Sequence, residues 1–350
     1  GRRPRLHLRK PDDEVFERED GPRLNLKREV QIERAAACLL GMKIDLPRLT
    51  HGVGLDEVPL VVDVEAVTGC MVFEIRDEAW DVSHCHWEPV SQVRQGTATR
   101  YRGGVENATT FALFDRIAAE VADAVAVADR VGRGERPGQY RLDLDADAVV
   151  TEALRSAGFG VVSEESGRDG YGAAVTVVVD PVDGSTNASR SLPCWATSLC
   201  AVDADGPLLA TVVDQSRRVT WRAVRGGGAT RQVGDGQPEP IRVAEPVLAG
   251  DAVVAINGMS SNKAETWQFR AYGAASIELC MVADGTLDGY TNLDGDSHGV
   301  WDYLAAVLIL AEAGGVARDV EFRDLVTLNP RERRCIVAAS CDSLLAEMMW

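Results

Sequence analysis

Acidic side chains are concentrated where strands should end and helices should begin: Asp143, Glu164, Asp180, Asp183 and Asp302. Carboxylates in such places do not suit an anion directly. A helix N-terminus carries unpaired N–H groups and partial positive charge, which favour phosphate, but neighbouring aspartates repel it unless a cation lies between. Magnesium is such a cation, because it takes hard oxygen ligands and commonly bridges carboxylates to substrate phosphate. The chemistry these residues could do is therefore metal-assisted handling of a phosphoryl group.

The stretch VVVDPVDGSTN, residues 177–187, puts this pattern in eleven positions. Pro181 is expected to end the strand and to bias Asp180 toward extended backbone, fixing the direction of its carboxylate. Asp183 follows across a tight turn. Gly184 permits close backbone approach to a ligand, and Ser185 and Thr186 can cap the next helix while presenting N–H groups. An Asp-Gly turn with a capping serine is the plainer reading of this stretch alone.

The elements that must position these acids can be read from apolar periodicity. Phe111, Phe114, Ile117, Ala118, Val121 and Val125 recur at helical spacing from Asn107, with Gly132 as a stop. A second helix is expected at about 146–157, strands at 160–163 and 174–180, then strands at 198–203, 208–213 and 252–256. Helices follow at 273–283 and 302–313, the last closed by Gly314-Gly315. Before residue 105 the chain differs: Val30 to Leu40 could form a short helix, and 58–64 and 70–75 read as strands. A boundary is expected near Tyr101-Arg102-Gly103-Gly104. The resulting division is an N-terminal α+β region over 1–105, a first half with the metal site over 106–245 and a second α/β half over 246–350.

DPVDGSTN, together with SEES at 163–166 and WDYLAAVLILAEAGG at 301–315, resembles the inositol monophosphatase family; ELCMVADGTLDGY at 278–290 resembles a further family segment. The likeness spans about 107–345 and leaves 1–105 uncovered. It implies an α/β fold of layered helices and sheets and a magnesium-dependent phosphomonoesterase, with two or three ions per site. By resemblance, Glu164, Asp180 and the Val182 carbonyl are metal ligands, and Asp183 and Asp302 hold a second ion. Asp143, with Asp147 as its rival, corresponds to an aspartate that activates water with a threonine, whose place is taken by Ser185. Glu164 would also serve catalysis, and Gly184, Ser185, Asn292 and Asp302 would contact substrate. Ser163 stands where glycine is common, and Asn292 where inositol-binding members use an acid. The substrate is expected to be a small polyol or sugar phosphate such as inositol monophosphate. Fructose 1,6-bisphosphate, 3'-phosphoadenosine phosphates, histidinol phosphate and NADP are the family alternatives, and a non-catalytic phosphate-ligand sensor or scaffold is the alternative of another class.

Composition narrows the rest. The 350 residues carry a net charge of -17, against general nucleic-acid affinity, which needs Lys and Arg to neutralise phosphates. The basic opening GRRPRLHLRK turns acidic at once. Apolar runs are too short for a membrane helix. Eight cysteines without a CxxC pair, and the absence of an apolar leader, suggest reduced thiols in the cytoplasm. The sequons at Asn107 and Asn187 are read as coincidence, His84-Cys85-His86 as structural rather than a zinc site, Trp80 and Trp87 as packing residues, and Trp301 as packing at a helix start. A homodimer is expected. Gly1 in place of methionine suggests an upstream stretch or an expression remnant. Every proposed ligand lies beyond residue 105, so removal of 1–105 is expected to spare turnover.

Overall fold

A computed structural model of the chain describes residues 43–44, 61–66, 69–74, 107–134, 136, 138–258 and 268–349. The chain forms two compact units, Gly1–Val93 and Arg94–Trp350. In the first, β1 (Lys43–Ile44), β2 (Val61–Ala66) and β3 (Gly69–Glu74) make an antiparallel sheet in that order. Two strands were expected here, and both occur, offset by a few residues. The helix expected at 30–40, Trp80, His84-Cys85-His86, Trp87 and the boundary at 101–104 lie outside the described residues.

The second unit opens with α1 (Asn107–Val127), whose buried Phe114, Ile117, Ala118, Val121 and Val125 form the stripe that the periodicity requires. Next, α2 (Arg141–Ser156) begins five residues earlier than the expected start at 146. Its first turn is closed by Asp143, whose carboxylate accepts the Tyr140 N–H at 2.9 Å, so the acids there are part of the helix and not a lead-in.

An eight-stranded sheet follows, from β4 (Gly160–Ser163), β5 (Gly167–Asp169), β6 (Thr176–Asp183), β7 (Ala196–Asp203), β8 (Gly206–Asp214), β9 (Val219–Val224), β10 (Gly228–Val233) and β11 (Glu239–Pro240), with the short helix α3 (Ser185–Arg190) between β6 and β7. Its order is β11-β10-β9-β8-β7-β6-β4-β5, and only β4 and β6 run parallel. A five-stranded sheet has the order β13-β12-β14-β16-β15. It is made by β12 (Val253–Asn257), β13 (Gln268–Arg270), β14 (Gly289–Asn292), β15 (Val316–Asp319) and β16 (Ile336–Ala339), with helices α4 (Ala275–Ala283), α5 (Val300–Glu312) and α6 (Asp342–Met348).

Alternation along the strands sorts the layers. Val177, Val179, Leu199 and Ala201 pack with Phe114, Ile117, Leu142 and Val150 of α1 and α2. Val178, Cys200 and Val202 point the other way, into a core with α4 and α5, which Ala255, Tyr290, Ile336 and Ala338 of the second sheet close from beyond. Val254, Val337 and Ala339 then meet Leu344 and Leu345 of α6. The layers run helix, sheet, helix, sheet, helix. A helix between two sheets must be apolar on all sides, and every residue of α4 is buried. Truncating a core side chain such as Leu304, which is fully buried, costs about 2–5 kcal/mol.

One strand end differs from expectation. β6 does not stop at Pro181 but continues to Asp183. Pairing with β7 shifts register between Asp180 and Asp183, and this irregularity absorbs the missing proline N–H.

Candidate active site

Parallel pairing brings the first two acids together. Ser163 of β4 lies opposite Val179 of β6, so the next residue along each strand, Glu164 and Asp180, emerge side by side at the same end of the sheet. The register irregularity at Pro181 turns the chain just there, and the Val182 N–H donates to Asp180 Oδ1 at 3.0 Å, fixing that carboxylate. Asp302 arrives from the middle helical layer. It is the third residue of α5, and its Oδ2 accepts the Gly299 N–H at 2.6 Å. One carboxylate oxygen from each of Glu164, Asp180 and Asp302 falls within 4.8 Å of the others.

Among the described residues no arginine or lysine pairs with them; Arg136 draws Glu164 down and Arg333 draws Asp302 down, but burial and mutual repulsion outweigh both. Burial, then repulsion from Glu164, Asp183 and Asp302, holds the Asp180 carboxyl well above the usual range. Burial followed by Glu164 and Asp183 does the same to Asp302. Glu164 is pushed up to about 8, by burial and then by Glu165, Asp143 and Asp183. Three carboxyls that resist ionisation together could hold a cation, and all the donors are hard oxygens, as magnesium requires. The residues present fit the metal.

Asp183 faces the cluster but is half-satisfied from elsewhere: its Oδ2 accepts the backbone N–H of Ser276 at 2.7 Å and the Ser276 hydroxyl as well. Burial raises it only to about 6 because these donors pull it down. Ser276 was not singled out from sequence. It lies 93 residues away, and its one local signal is its place in the first turn of α4. Glu278 was also missed. It is buried, pushed up to about 8 by burial, and accepts the Tyr272 and Gly273 N–H groups at 2.6 and 3.3 Å, holding the chain that leads into α4.

Of the two rival aspartates, Asp143 is the one beside Ser185. Its Oδ2 is taken by the Tyr140 N–H, while its Oδ1 is buried without a hydrogen-bond partner. Burial raises it to about 6, with the Tyr140 N–H and Ser185 acting in the opposite sense. Asp147, one turn on, instead accepts the hydroxyls of Ser163 and Ser166.

The cap of α3 also departs from expectation. Its N-cap is Gly184, in the left-handed region at φ 87°, with no side-chain cap; Ser185 is the first helical residue, and the Thr186 hydroxyl meets Tyr140 OH at 3.3 Å. A Cβ at Gly184 would sit 2.9 Å from the Cys194 carbonyl and 3.1 Å from that of Gly273, so both conformation and space require glycine. Asn292 ends β14 and is buried, but its amide donates to Gly295 O at 2.8 Å and Ser297 Oγ at 2.9 Å and its carbonyl accepts the Asp294 N–H at 3.1 Å. It organises the loop leading to Asp302. Trp301 is buried, as expected. Asn187 of the second sequon is tied inside by bonds to the Cys194 and Tyr272 carbonyls, both at 2.7 Å.

Fold and site together define a layered α/β protein with an oxygen-rich cluster that could bind metal. The profile of the inositol monophosphatase family matches residues 111–350, and the chain belongs to that family. It is 32% identical over 207 residues to the fructose-1,6-bisphosphatase/inositol-1-monophosphatase of Thermococcus kodakarensis, covering 58% of this chain and 78% of that one. It is 29% identical over 246 residues to the Nus factor SuhB of Escherichia coli, covering 64% and 89%. Among solved structures, a Pyrococcus horikoshii protein with similarities to inositol-1 monophosphatase superimposes with a TM-score of 0.62 at 24% identity, over 70% of this chain and 98% of that one. An inositol monophosphatase from Anabaena gives 0.56, also at 24%, over 70% and 97%. Among the described residues, no helix is long and apolar enough to cross a membrane.

Proposed function

We propose that the chain is a magnesium-dependent phosphomonoesterase that hydrolyses a small polyol or sugar phosphate, with inositol monophosphate as the first substrate to test. The observation that carries this reading is the convergence of Glu164, Asp180 and Asp302 within 4.8 Å, with burial and mutual repulsion raising all three carboxyls. Those three, with Asp183 and the Val182 carbonyl, would hold the magnesium ions. Bound magnesium lowers the pKa of a coordinated water and neutralises charge on phosphoryl oxygens.

The remaining work falls to the chain itself. Asp143 Oδ1, unpartnered and beside Ser185, would accept the proton of the attacking water, with the Ser185 hydroxyl orienting it. The Gly184 and Ser185 N–H groups would hold the phosphoryl oxygens as charge shifts between them. Asn292 would act through the shape of its loop, since its amide is spent internally. A cytoplasmic homodimer is part of the same proposal.

Phosphate release with magnesium, measured on inositol monophosphate, fructose 1,6-bisphosphate, 3'-phosphoadenosine phosphate, histidinol phosphate and NADP, tests it. Turnover of at least one supports the class, and failure on all overturns it. The relation to proteins named as Nus factors favours a second reading, a binding role without turnover. Asp183→Ala that leaves the protein's effect in cells unchanged would favour that second reading.

A further inference from the structure

Two consecutive residues at the entry to α2 reach three separate parts of the site. The loop before them is closed on itself: the Arg141 N–H donates to the Gly132 carbonyl at 2.9 Å and the Gly134 N–H to the Gln139 carbonyl at 3.0 Å, which fixes the backbone of Gln139 and Tyr140. The Gln139 amide donates to the carboxylate of Glu165, the neighbour of Glu164. The Tyr140 N–H holds Asp143 Oδ2 at 2.9 Å. The Tyr140 hydroxyl leaves its own helix and meets the Thr186 hydroxyl at 3.3 Å, and Thr186 follows Ser185 in the first turn of α3. It also lies against Ser189, one turn on, whose hydroxyl donates to the Thr186 carbonyl at 2.9 Å.

Packing fixes the ring between these contacts. Tyr140 belongs to the core of α1 and α2, with Phe114, Leu142 and Ala188, and the Arg133 guanidinium lies over it, 4.6 Å from the centroid. A phenylalanine would fill that space equally well. A tyrosine hydroxyl that is almost buried needs a partner, and this one finds it 46 residues away, on the helix that follows Asp183. Asp143 and Ser185 sit on different helices, yet both must stand at a set distance from one attacking water. Tyr140 is bonded to both sides: its N–H to Asp143, its hydroxyl to the residue after Ser185.

We propose that Tyr140 is a positioning residue for the hydrolysis, whose hydroxyl locks the start of α3 against the start of α2 and so sets the separation of Asp143 from Ser185. The inference rests on the phosphoesterase reading above. Tyr140 acts through Thr186 and Asp143, with no contact to the ester.

The test uses the full chain with magnesium, on whichever ester of the panel is turned over fastest, in wild type, Tyr140→Phe, Thr186→Val and the double variant. Tyr140→Phe keeps the ring and its packing and removes only the hydroxyl. Its kcat falls about fivefold, the loss expected for one hydrogen bond, while KM and the magnesium-induced rise in Tm stay at their wild-type values. A hydroxyl that served folding alone would lower stability and leave turnover per folded molecule untouched. Thr186→Val lowers kcat by less, since Ser189 remains beside the hydroxyl, and it carries the test alone should Tyr140→Phe fail to fold. The double variant loses no more than Tyr140→Phe. Losses that multiply, a KM that rises as kcat falls, or a kcat equal to wild type overturn the proposal. Wild type inert toward every ester sinks the phosphoesterase reading and this role with it; wild type active, with Tyr140→Phe its equal, sinks Tyr140 alone.

Discussion

Asp180 and Asp319 are both buried aspartates, 2% and 1% exposed, yet their acidities move in opposite directions. Burial pushes Asp319 up, but the Arg323 guanidinium grips both its oxygens, Nε on Oδ2 at 2.6 Å and Nη2 on Oδ1 at 2.9 Å, and Cys335 N–H adds a third bond, so its carboxyl ends below the ordinary range. The same guanidinium bonds Asp296 and lowers that carboxyl too. Asp180 has burial and three acidic neighbours, relieved only by the Val182 N–H. A buried carboxylate has to be compensated. Around Asp319 the chain supplies the cation; around Asp180, among the described residues, it supplies none that pairs with the carboxylate.

Exchanging one aspartate for asparagine in each region gives the largest expected contrast. Asp180→Asn should cut phosphate release by at least about 10²-fold, since even groups that only orient metal ligands are worth about 10–100-fold. Its metal-free stability should hold or rise, because a repelled charge is gone. Asp319→Asn should do the opposite, costing about 3 kcal/mol by leaving Arg323 underpaired, with turnover per folded molecule retained. Denaturant unfolding and turnover on the same two variants would settle this, and Asp180→Asn proving the less stable of the two would break the comparison.

Magnesium and pH sharpen the same contrast. Ligand at about 100 times its Kd adds about 2.7 kcal/mol to the folded state, which for a unit of this size raises Tm by about 5–10 °C. Wild type should show that shift and Asp180→Asn should lose most of it. Without metal, Glu164 at about 8 and Asp143 and Asp183 at about 6 lie above the ordinary carboxylate value of about 4. The folded state then binds more protons than the unfolded one, so stability is full below about pH 4 and falls as pH rises toward 8. The lowered Asp319 and Asp296 work in reverse, adding stability above the ordinary carboxylate range and losing it in acid. Thermal scans between pH 5 and 8 should slope downward without magnesium and flatten with it; parallel slopes would count against a cation at the acidic cluster.

Much of the site was readable because its acids sit at element ends, and apolar runs mark those ends. The Gly160–Ser163 strand, the acids after it and the two central helices follow from periodicity and capping. The course of β6 past Pro181 did not, since a proline signals a stop unless the partner strand can shift register, and the partner is known only from the fold. The start of α2 was obscured because Asp143 and Asp145 interrupt the apolar count, although Leu142, Ala146, Val150 and Leu154 keep helical spacing. Ser276 was illegible in principle, because a donor 93 residues from its acceptor leaves no local pattern; Glu278 accepts N–H groups only six and five residues back, but an acid inside an apolar helical run does not show which backbone it holds.

Asp147 lies between the two extremes and gives the smallest effect. It is 7% exposed, and burial raises its carboxyl while the Ser163 and Ser166 hydroxyls offset part of that. Neither an arginine fork nor a metal compensates it; two neutral donors do, and Ser163 is the residue next to Glu164. Asp147→Ala strands the fully buried Ser163 hydroxyl and should cost about 1–3 kcal/mol. Ser163→Gly removes the donor from the other side, and the double variant should cost less than the sum by about 1 kcal/mol, as for residues in one hydrogen-bond network. Magnesium affinity read from the thermal shift should weaken modestly in each single variant, because the turn carrying Glu164 loses its tether. Strict additivity would mean that the hydroxyl and the carboxylate do not depend on each other, and that Glu164 is placed by strand pairing alone.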